Sequence, residues 1–115
     1  MSRQRETSVE ILGYQDEMKS KIIEFVNRVS NYLTSDWYLF ENRLIGKRIS
    51  ELRRNESEQE FAERFACEIF KANGQPCRIN VAVDLKAISD PKYNCEYGYF
   101  EFTDMDYERL IKPVK

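Results

Sequence analysis

The chain has 115 residues, of which 42% are hydrophobic and 33% charged, and its formal net charge is −2. These values are typical of one folded domain, residues 1–115, and they exclude a disordered chain and a strongly basic nucleic-acid-binding one. No apolar run approaches the roughly 20 residues of a membrane helix, and the first residues, MSRQRETS, contain no apolar signal core. A cytoplasmic protein is therefore expected.

The chain contains no histidine. This absence removes the Ser–His and Cys–His couples of covalent catalysis and the commonest metal ligand. Its three cysteines, Cys67, Cys77 and Cys95, form no CxxC pair, so neither a disulfide framework nor a zinc site is expected. The composition favours a protein that is not an enzyme and has no cofactor.

The first element is predicted to be a long helix. Thr7 and Glu10 have the spacing of a capping box, and apolar residues follow at three- and four-residue intervals. The pattern predicts a helix over about 9–34, or one that begins near Tyr14 because Gly13 disfavours helix. Its apolar stripe is predicted to pack on the core, with a coiled-coil seam as the alternative. The stripe consists of Ile11, Met18, Ile22, Phe25, Val29 and Tyr32.

Residues 35–55 contain an aromatic cluster followed by a basic segment. The cluster at 37–40 fits either a helix that Ser35 caps or a short strand. Residues 43–54 predict an amphipathic helix, with Ile45, Ile49 and Leu52 on one side and with Arg43, Lys47 and Arg54 together on another. These cations offer contacts to phosphates or to an acidic protein, or they form a solvated face balanced by the acidic residues in 56–63.

The next helix has a clear start and stop. Ser57 and Glu60 form a second capping box, and Asn73-Gly74 supplies a left-handed end. The sequence therefore predicts a helix over 57–73, whose buried stripe consists of Phe61, Ala62, Phe65, Ala66 and Ile69.

The pattern then changes to a period of two, which predicts a β-hairpin, 78–86 and 95–103, before a short final helix capped by Thr103. The predicted fold class is α+β, with three to four helices packed on one face of a small antiparallel sheet. Two strands alone are marginally stable, so the hairpin edge is predicted to join a second copy in a homodimer.

The two faces of this hairpin differ in chemistry. Phe100 and Phe102 are predicted to face inward with Val81 and Val83, which leaves Tyr97 and Tyr99 outward beside Arg78, Asn80 and Ala82. Exposed tyrosines suit a binding surface because they contribute large area with little loss of rotamer freedom. The alternative is that the first helix covers both tyrosines.

The segment Tyr97-Gly98-Tyr99-Phe100-Glu101-Phe102 resembles the end of the RNP1 motif of RNA recognition motif domains. Leu39-Phe40-Glu41-Asn42 is loosely similar to the RNP2 strand of that family, and the resemblance spans residues 39–112. It implies single-stranded RNA binding, in which Tyr97, Tyr99 and Phe40 stack on bases.

Three functions follow from these patterns. The first is a non-catalytic module of the inhibitor, immunity or adaptor type that binds a protein partner. RNA binding on the same tyrosines is the alternative, and a carboxylate metal enzyme using Asp84 with Lys86, or Asp104 with Asp106, is the third. The predicted binding residues are Tyr97, Tyr99, Asn80, Arg78, Phe40, Arg43, Lys47 and Arg54.

Overall fold

The computed structural model describes residues 3–53, 55–84 and 97–111, and it describes only the backbone at 3, 4 and 97. Within these ranges the chain forms five strands and three α-helices. Their order is β1 (Arg3–Leu12), α1 (Lys19–Val29), β2 (Trp37–Phe40), β3 (Arg43–Leu52), α2 (Glu58–Asn73), β4 (Arg78–Asp84), β5 (Tyr97–Phe102) and α3 (Asp104–Leu110). The α+β class is confirmed, with three α-helices in the described part of the chain. The predicted sheet of two strands is wrong, because β1, β2 and β3 extend the hairpin to five strands.

The strands form one sheet in the order β2-β3-β1-β4-β5, in which every neighbouring pair is antiparallel. The chain passes through α1 between β1 and β2, and β3 then fills the position between these two strands. Helix α2 connects β3 to β4, and β1 lies between these two strands in the sheet. Strands β2 and β5 are left at the two edges of the sheet.

The predicted helix over 9–34 is wrong at both ends. Residues 3–12 form the central strand β1, and the helix α1 begins only at Lys19 and ends at Val29, before Tyr32 of the predicted stripe. Thr7, Val9 and Ile11 are buried on one side of β1, whereas Glu6, Ser8 and Glu10 are only partly buried. This alternation is typical of a strand with one buried side. Thr7 and Glu10 have the spacing of a capping box, but they lie within the strand and cap no helix.

The predicted helix over 43–54 is also wrong, because Arg43–Leu52 forms strand β3. Leu44, Gly46, Ser50 and Leu52 are buried at alternate positions along it. The aromatic cluster before it forms β2, which agrees with the strand alternative for 37–40. Arg54 lies outside the described residues, so its predicted place beside Arg43 and Lys47 is not seen.

Helix α2 forms as the sequence predicts. The Ser57 hydroxyl accepts from Glu60 N–H at 3.1 Å, and Gly74 ends the helix with a φ of 75°. Its apolar stripe is buried with residues of α1 and with the inward side chains of the strands in one core. Ile22 and Val26 are the fully buried residues of α1.

A partly buried ion pair joins the end of α1 to the start of α2. The Arg64 guanidinium donates to both carboxylate oxygens of Glu56 at 3.0 Å, and it also donates to the Val29 carbonyl oxygen at 2.6 Å. The Glu56 side chain is only 10% exposed. The same guanidinium therefore satisfies a carbonyl at the end of α1, where helical partners are missing.

The hairpin of β4 and β5 is confirmed, with Ile79 to Asp84 opposite Phe102 to Tyr97. The predicted loop at 87–94 lies outside the described residues. Thr103 precedes α3, and its N–H donates to the Asp106 carboxylate at 2.9 Å. None of the helices in the described ranges is long and apolar enough to cross a membrane.

Candidate binding face

The side chains that alternate with the buried ones form a second surface of the sheet, which we call the tyrosine face. Directly opposed residues of antiparallel strands point to the same side, so the register assigns each member. The tyrosine face includes Glu6, Ser8 and Glu10 of β1, Tyr38 and Phe40 of β2, Arg43, Ile45, Lys47 and Ile49 of β3, Arg78, Asn80 and Ala82 of β4, and Tyr99 and Glu101 of β5.

Large apolar and aromatic side chains on this face are exposed to solvent. Tyr99 is 78% exposed, Phe40 56% and Tyr38 53%. On the same strand Phe102 is only 4% exposed and Phe100 is partly buried, so the predicted division between inward phenylalanines and outward tyrosines holds for Tyr99. The alternative in which the first helix covers this tyrosine is wrong. Tyr97 is opposite Asp84 in the ladder, and its side chain lies outside the described part of the structure.

A concavity of about 290 Å³ lies on the tyrosine face. Ile45 and Ala82 contribute apolar surface to it, while Tyr38 and Tyr99 line it from the two edge strands. Four strand spacings, about 19 Å, separate those edges, so the two rings border a site that spans the width of the sheet. The lining residues are Glu6, Thr7, Ser8, Tyr38, Ile45, Lys47, Ala82 and Tyr99.

Charges of both signs surround this concavity and are paired with one another. Arg43 Nη1 lies 3.1 Å from Glu10 Oε2, while Asn80 donates to Glu10 Oε1 at 3.0 Å. Lys47 pairs with Glu6 at 3.5 Å, and Arg78 pairs with Glu101 at 3.3 Å. The face therefore offers fixed polar groups around an apolar centre rather than a positive field.

The structure brings most of the predicted binding residues onto this one face. Arg78, Asn80 and Tyr99 lie on the hairpin, as the alternation predicts, and Phe40 lies at the opposite edge. Arg43 and Lys47 also share the face, because residues four apart on a strand point the same way. Arg54 and the Tyr97 side chain lie outside the described residues.

Sequence reasoning missed Tyr38, Ile45 and the three polar residues of β1. Glu6 and Ser8 precede the predicted first helix and Glu10 lies in it. Tyr38 belongs to the cluster that fits either a helix or a strand, and Ile45 to the predicted helix over 43–54. The signal that locates β1 is the alternation of Glu6, Ser8 and Glu10 with Thr7, Val9 and Ile11. Residues 43–52 carry a weaker signal, since their inward positions include glycine, arginine and serine.

The two described thiols and Asp106 have surroundings that account for their pKa values. Burial raises the pKa of the Cys77 thiol to about 12, and burial also raises the pKa of Cys67, so both thiols are protonated near neutral pH. Asp106 accepts from Thr103 and Arg109; burial raises its pKa, but these hydrogen bonds outweigh burial and the pKa is lowered.

Asp84 is buried at the end of β4, and Lys86 lies outside the described residues. Cys95, likewise, belongs to the part of the chain that is not described. Among the described residues, no group of three or more Cys, Asp or Glu side chains is arranged to hold a metal ion.

No protein-family model matches the chain, and comparison with curated proteins and with solved structures likewise gives no match.

Proposed function

We propose that this chain is a cytoplasmic, non-catalytic module that binds a protein partner through the tyrosine face. The observation that carries the proposal is the concavity that Tyr38 and Tyr99 line across the sheet, with exposed rings at both edges. Tyrosines in such positions are typical anchors of protein interfaces, since each ring contributes contact area and a hydroxyl group with few torsions to restrict.

The arrangement of the helices supports the same proposal. The inward residues of β1, β3, β4 and β5 share one core with α1 and α2. We infer that the helices lie together on that side of the sheet and leave the tyrosine face uncovered. An antiparallel sheet with one covered face normally carries polar residues on the other, so exposed Tyr38, Phe40, Ile49 and Tyr99 are unusual there.

The charges favour a protein partner over RNA. Three cations of the tyrosine face, Arg43, Lys47 and Arg78, each pair with a carboxylate of the same face. Binding to phosphates depends on uncompensated cations, whereas a protein interface uses mixed charges at its rim to set orientation and specificity. A partner with an apolar or aromatic side chain for the concavity and mixed charges around it matches this surface.

RNA binding is the second candidate function. Tyr99 and Phe40, which the resemblance to RNA recognition motifs implies as stacking residues, lie exposed on the same face. They belong to opposite edge strands, so one stacking platform would need to span the sheet.

A comparison of variants tests the proposal. The chain is immobilised as wild type, as Tyr99→Ala and as Met105→Ala, which removes a side chain of equal exposure (79%) from α3. Each form is incubated with extract of the source cells, and retained proteins are quantified by mass spectrometry. We expect one stoichiometric partner to be retained by wild type and Met105→Ala and reduced at least about tenfold by Tyr99→Ala, as the loss of an interface anchor predicts.

The unfolding free energy of Tyr99→Ala is expected to stay within about 0.5 kcal/mol of wild type, since the substitution is on the surface. Equal retention of the partner by all three forms would contradict the proposed face. Fluorescence anisotropy with mixed RNA oligonucleotides completes the test. Salt-dependent RNA binding that Tyr99→Ala abolishes would support the second candidate instead.

A further inference from the structure

Strand β2 is a short edge strand that lacks the charged side chains and the proline with which many edges are protected. Its residues, Trp37 to Phe40, include no charged side chain and no proline. Leu39 is 52% exposed and Phe40 56% exposed, and the nearby Leu33 is 53% exposed. Natural edge strands usually carry lysine, proline or a bulge that prevents pairing with another chain, so the apolar edge at β2 is favourable for such pairing.

The peptide groups of Leu39 are directed away from β3. The Trp37 N–H donates to the Thr34 carbonyl oxygen instead of to β3. In an antiparallel pair, every second residue has its N–H and C=O on the partner side, so Leu39, two residues after Trp37, shares the outward direction. The turn of two residues between Phe40 and Arg43 agrees, because the pair that flanks such a turn is hydrogen-bonded.

From this geometry we infer that β2 pairs in antiparallel fashion with β2 of a second copy of this chain. The two-fold axis passes between the two Leu39 residues, which exchange two N–H···O=C bonds. In this register Tyr38 lies directly opposite Phe40 of the second copy, on the side of the tyrosine face. The pairing therefore forms two cross-strand aromatic pairs and one leucine pair.

The register is the reason to assign the edge to a second copy rather than to an unrelated strand. Antiparallel pairing about a two-fold axis requires an outward peptide group at the centre and complementary side chains at equal distances from it. Leu39 provides the outward peptide group, and Tyr38 and Phe40 provide the complementary side chains. The four residues of β2 are uncharged, so their pairing brings no like charges directly together.

The other edge strand, β5, is the one that the sequence pattern indicates for a homodimer. Its described residues include Glu101, which is exposed and paired with Arg78. A charged residue of this kind is a protective feature of an edge. The described residues therefore favour β2 over β5 as the dimer edge.

The dimer joins the tyrosine faces of the two copies. A two-fold axis that continues an antiparallel sheet runs perpendicular to that sheet, so both tyrosine faces point to the same side. The contact consists of three residue pairs, which is much less than a stable interface buries, so we expect a weak dimer that forms only at high protein concentration. Tyr38 and Phe40 belong to both surfaces, whereas Tyr99 takes no part in the pairing.

Sedimentation equilibrium between about 10 µM and 1 mM tests the pairing. Wild type is expected to shift from monomer towards dimer over this range. Leu39→Lys places two charges at the axis and should raise the Kd at least tenfold. Ile49→Lys, the control, makes the same kind of change at a 46% exposed residue of β3 and should dimerise like wild type.

A wild type that remains monomeric at 1 mM would overturn the inference. A Leu39→Lys variant that dimerises like wild type would also overturn it and would direct attention to β5. Neither result bears on the binding of a partner by Tyr99, so this failure is distinguishable from failure of the proposed function.

Disulfide trapping tests the register. In a background with Cys67 and Cys95 replaced by serine, Leu39→Cys should form a covalent dimer under mild oxidation. The two Cα atoms of a hydrogen-bonded antiparallel pair lie about 5.5 Å apart, within the range that a disulfide spans. Ile49→Cys is the matched control, and equal rates of cross-linking for the two variants would contradict the pairing at Leu39.

Discussion

At Gly46 the backbone of β3 lies against the indole ring of Trp37. A Cβ atom at this position would lie 2.9 Å from Trp37 Cε3 and 3.0 Å from two further ring atoms. The two residues are directly opposite each other in the ladder of β2 and β3. Trp37 is fixed there, since its Nε1 donates to Asn27 Oδ1 at 3.0 Å and its ring packs on Tyr32 with centroids 5.6 Å apart.

We expect Gly46→Ala to destabilise the protein by about 1–3 kcal/mol, the usual cost of forcing an extra carbon atom into packed surroundings. Because a strand favours alanine over glycine, destabilisation would have to come from the ring. Chemical denaturation of wild type, Gly46→Ala, Trp37→Leu and the double variant measures the coupling. The cost of Gly46→Ala should be smaller beside leucine, and an equal cost in both backgrounds would contradict the contact.

A second residue-scale feature is a set of hydroxyl groups inside the core. The Thr7 hydroxyl lies 2.8 Å from the Tyr32 hydroxyl and 2.9 Å from the Ser50 hydroxyl, and it donates to the Arg48 carbonyl oxygen at 2.8 Å. Burial is the largest cause of the raised pKa of Tyr32. These contacts explain how polar residues of β1 and β3 occupy inward positions of the sheet.

At the scale of elements, Arg64 and Glu56 hold the end of α1 against the start of α2. Burial raises the pKa of Glu56, but the hydrogen bonds and charges of Arg64 and Arg53 outweigh burial, so the pKa is lowered overall. A carboxylate whose pKa is lower in the folded state binds fewer protons than it does in the unfolded state. Its stabilising contribution is present above the unfolded pKa and is lost as the pH falls through the folded pKa.

We expect Glu56→Gln to lower the unfolding free energy at pH 7 by about 2 kcal/mol, less than breaking a fully buried ion pair costs. The difference between wild type and variant should shrink as the pH is lowered below 4. Urea denaturation at pH 7, 5 and 3.5 measures it. Glu24→Gln, which removes an exposed ion pair with Arg28, should cost under about 0.5 kcal/mol at pH 7. A Glu56→Gln penalty that does not change with pH would contradict the account.

The elements differ in how far the sequence determines them. Ser57, Glu60 and Gly74 act through local backbone geometry, and for that reason α2 was predicted with its ends. The hairpin of β4 and β5 was predicted from alternation on a strand with one apolar side. In contrast, β3 has apolar residues, Ile45 and Ile49, on the tyrosine face and polar residues, Arg48 and Ser50, at inward positions. The spacing of its apolar residues therefore fits a helix better than a strand.

The order of the strands in the sheet could not be predicted from local sequence patterns. The position of β1 between β3 and β4 brings together residues that are far apart in the chain, such as Glu10 with Arg43, 33 positions away, and with Asn80, 70 positions away. The candidate face was therefore predicted only in its hairpin part. Tyr38, Glu6 and Ile45 join it through the order of the strands.

At the scale of the whole molecule, the structure separates buried from exposed tyrosines. Tyr32 and Tyr107 are 2% and 6% exposed and belong to the core, whereas Tyr38 and Tyr99 are 53% and 78% exposed at opposite edges of the sheet. Burial of aromatic rings stabilises the fold, and exposed rings gathered around one concavity provide area for a partner. The proposed binding of a partner depends on this separation.

Nitration of the folded protein with tetranitromethane, followed by peptide mapping, measures that separation directly. Tyr38 and Tyr99 should be modified readily, while Tyr32 and Tyr107 should be modified only after unfolding, and a bound partner should slow the reaction at Tyr38 and Tyr99. Nitration of Tyr99 as slow as that of Tyr32 in the free protein would contradict the exposure of the tyrosine face. Unchanged rates in the complex would place the partner elsewhere.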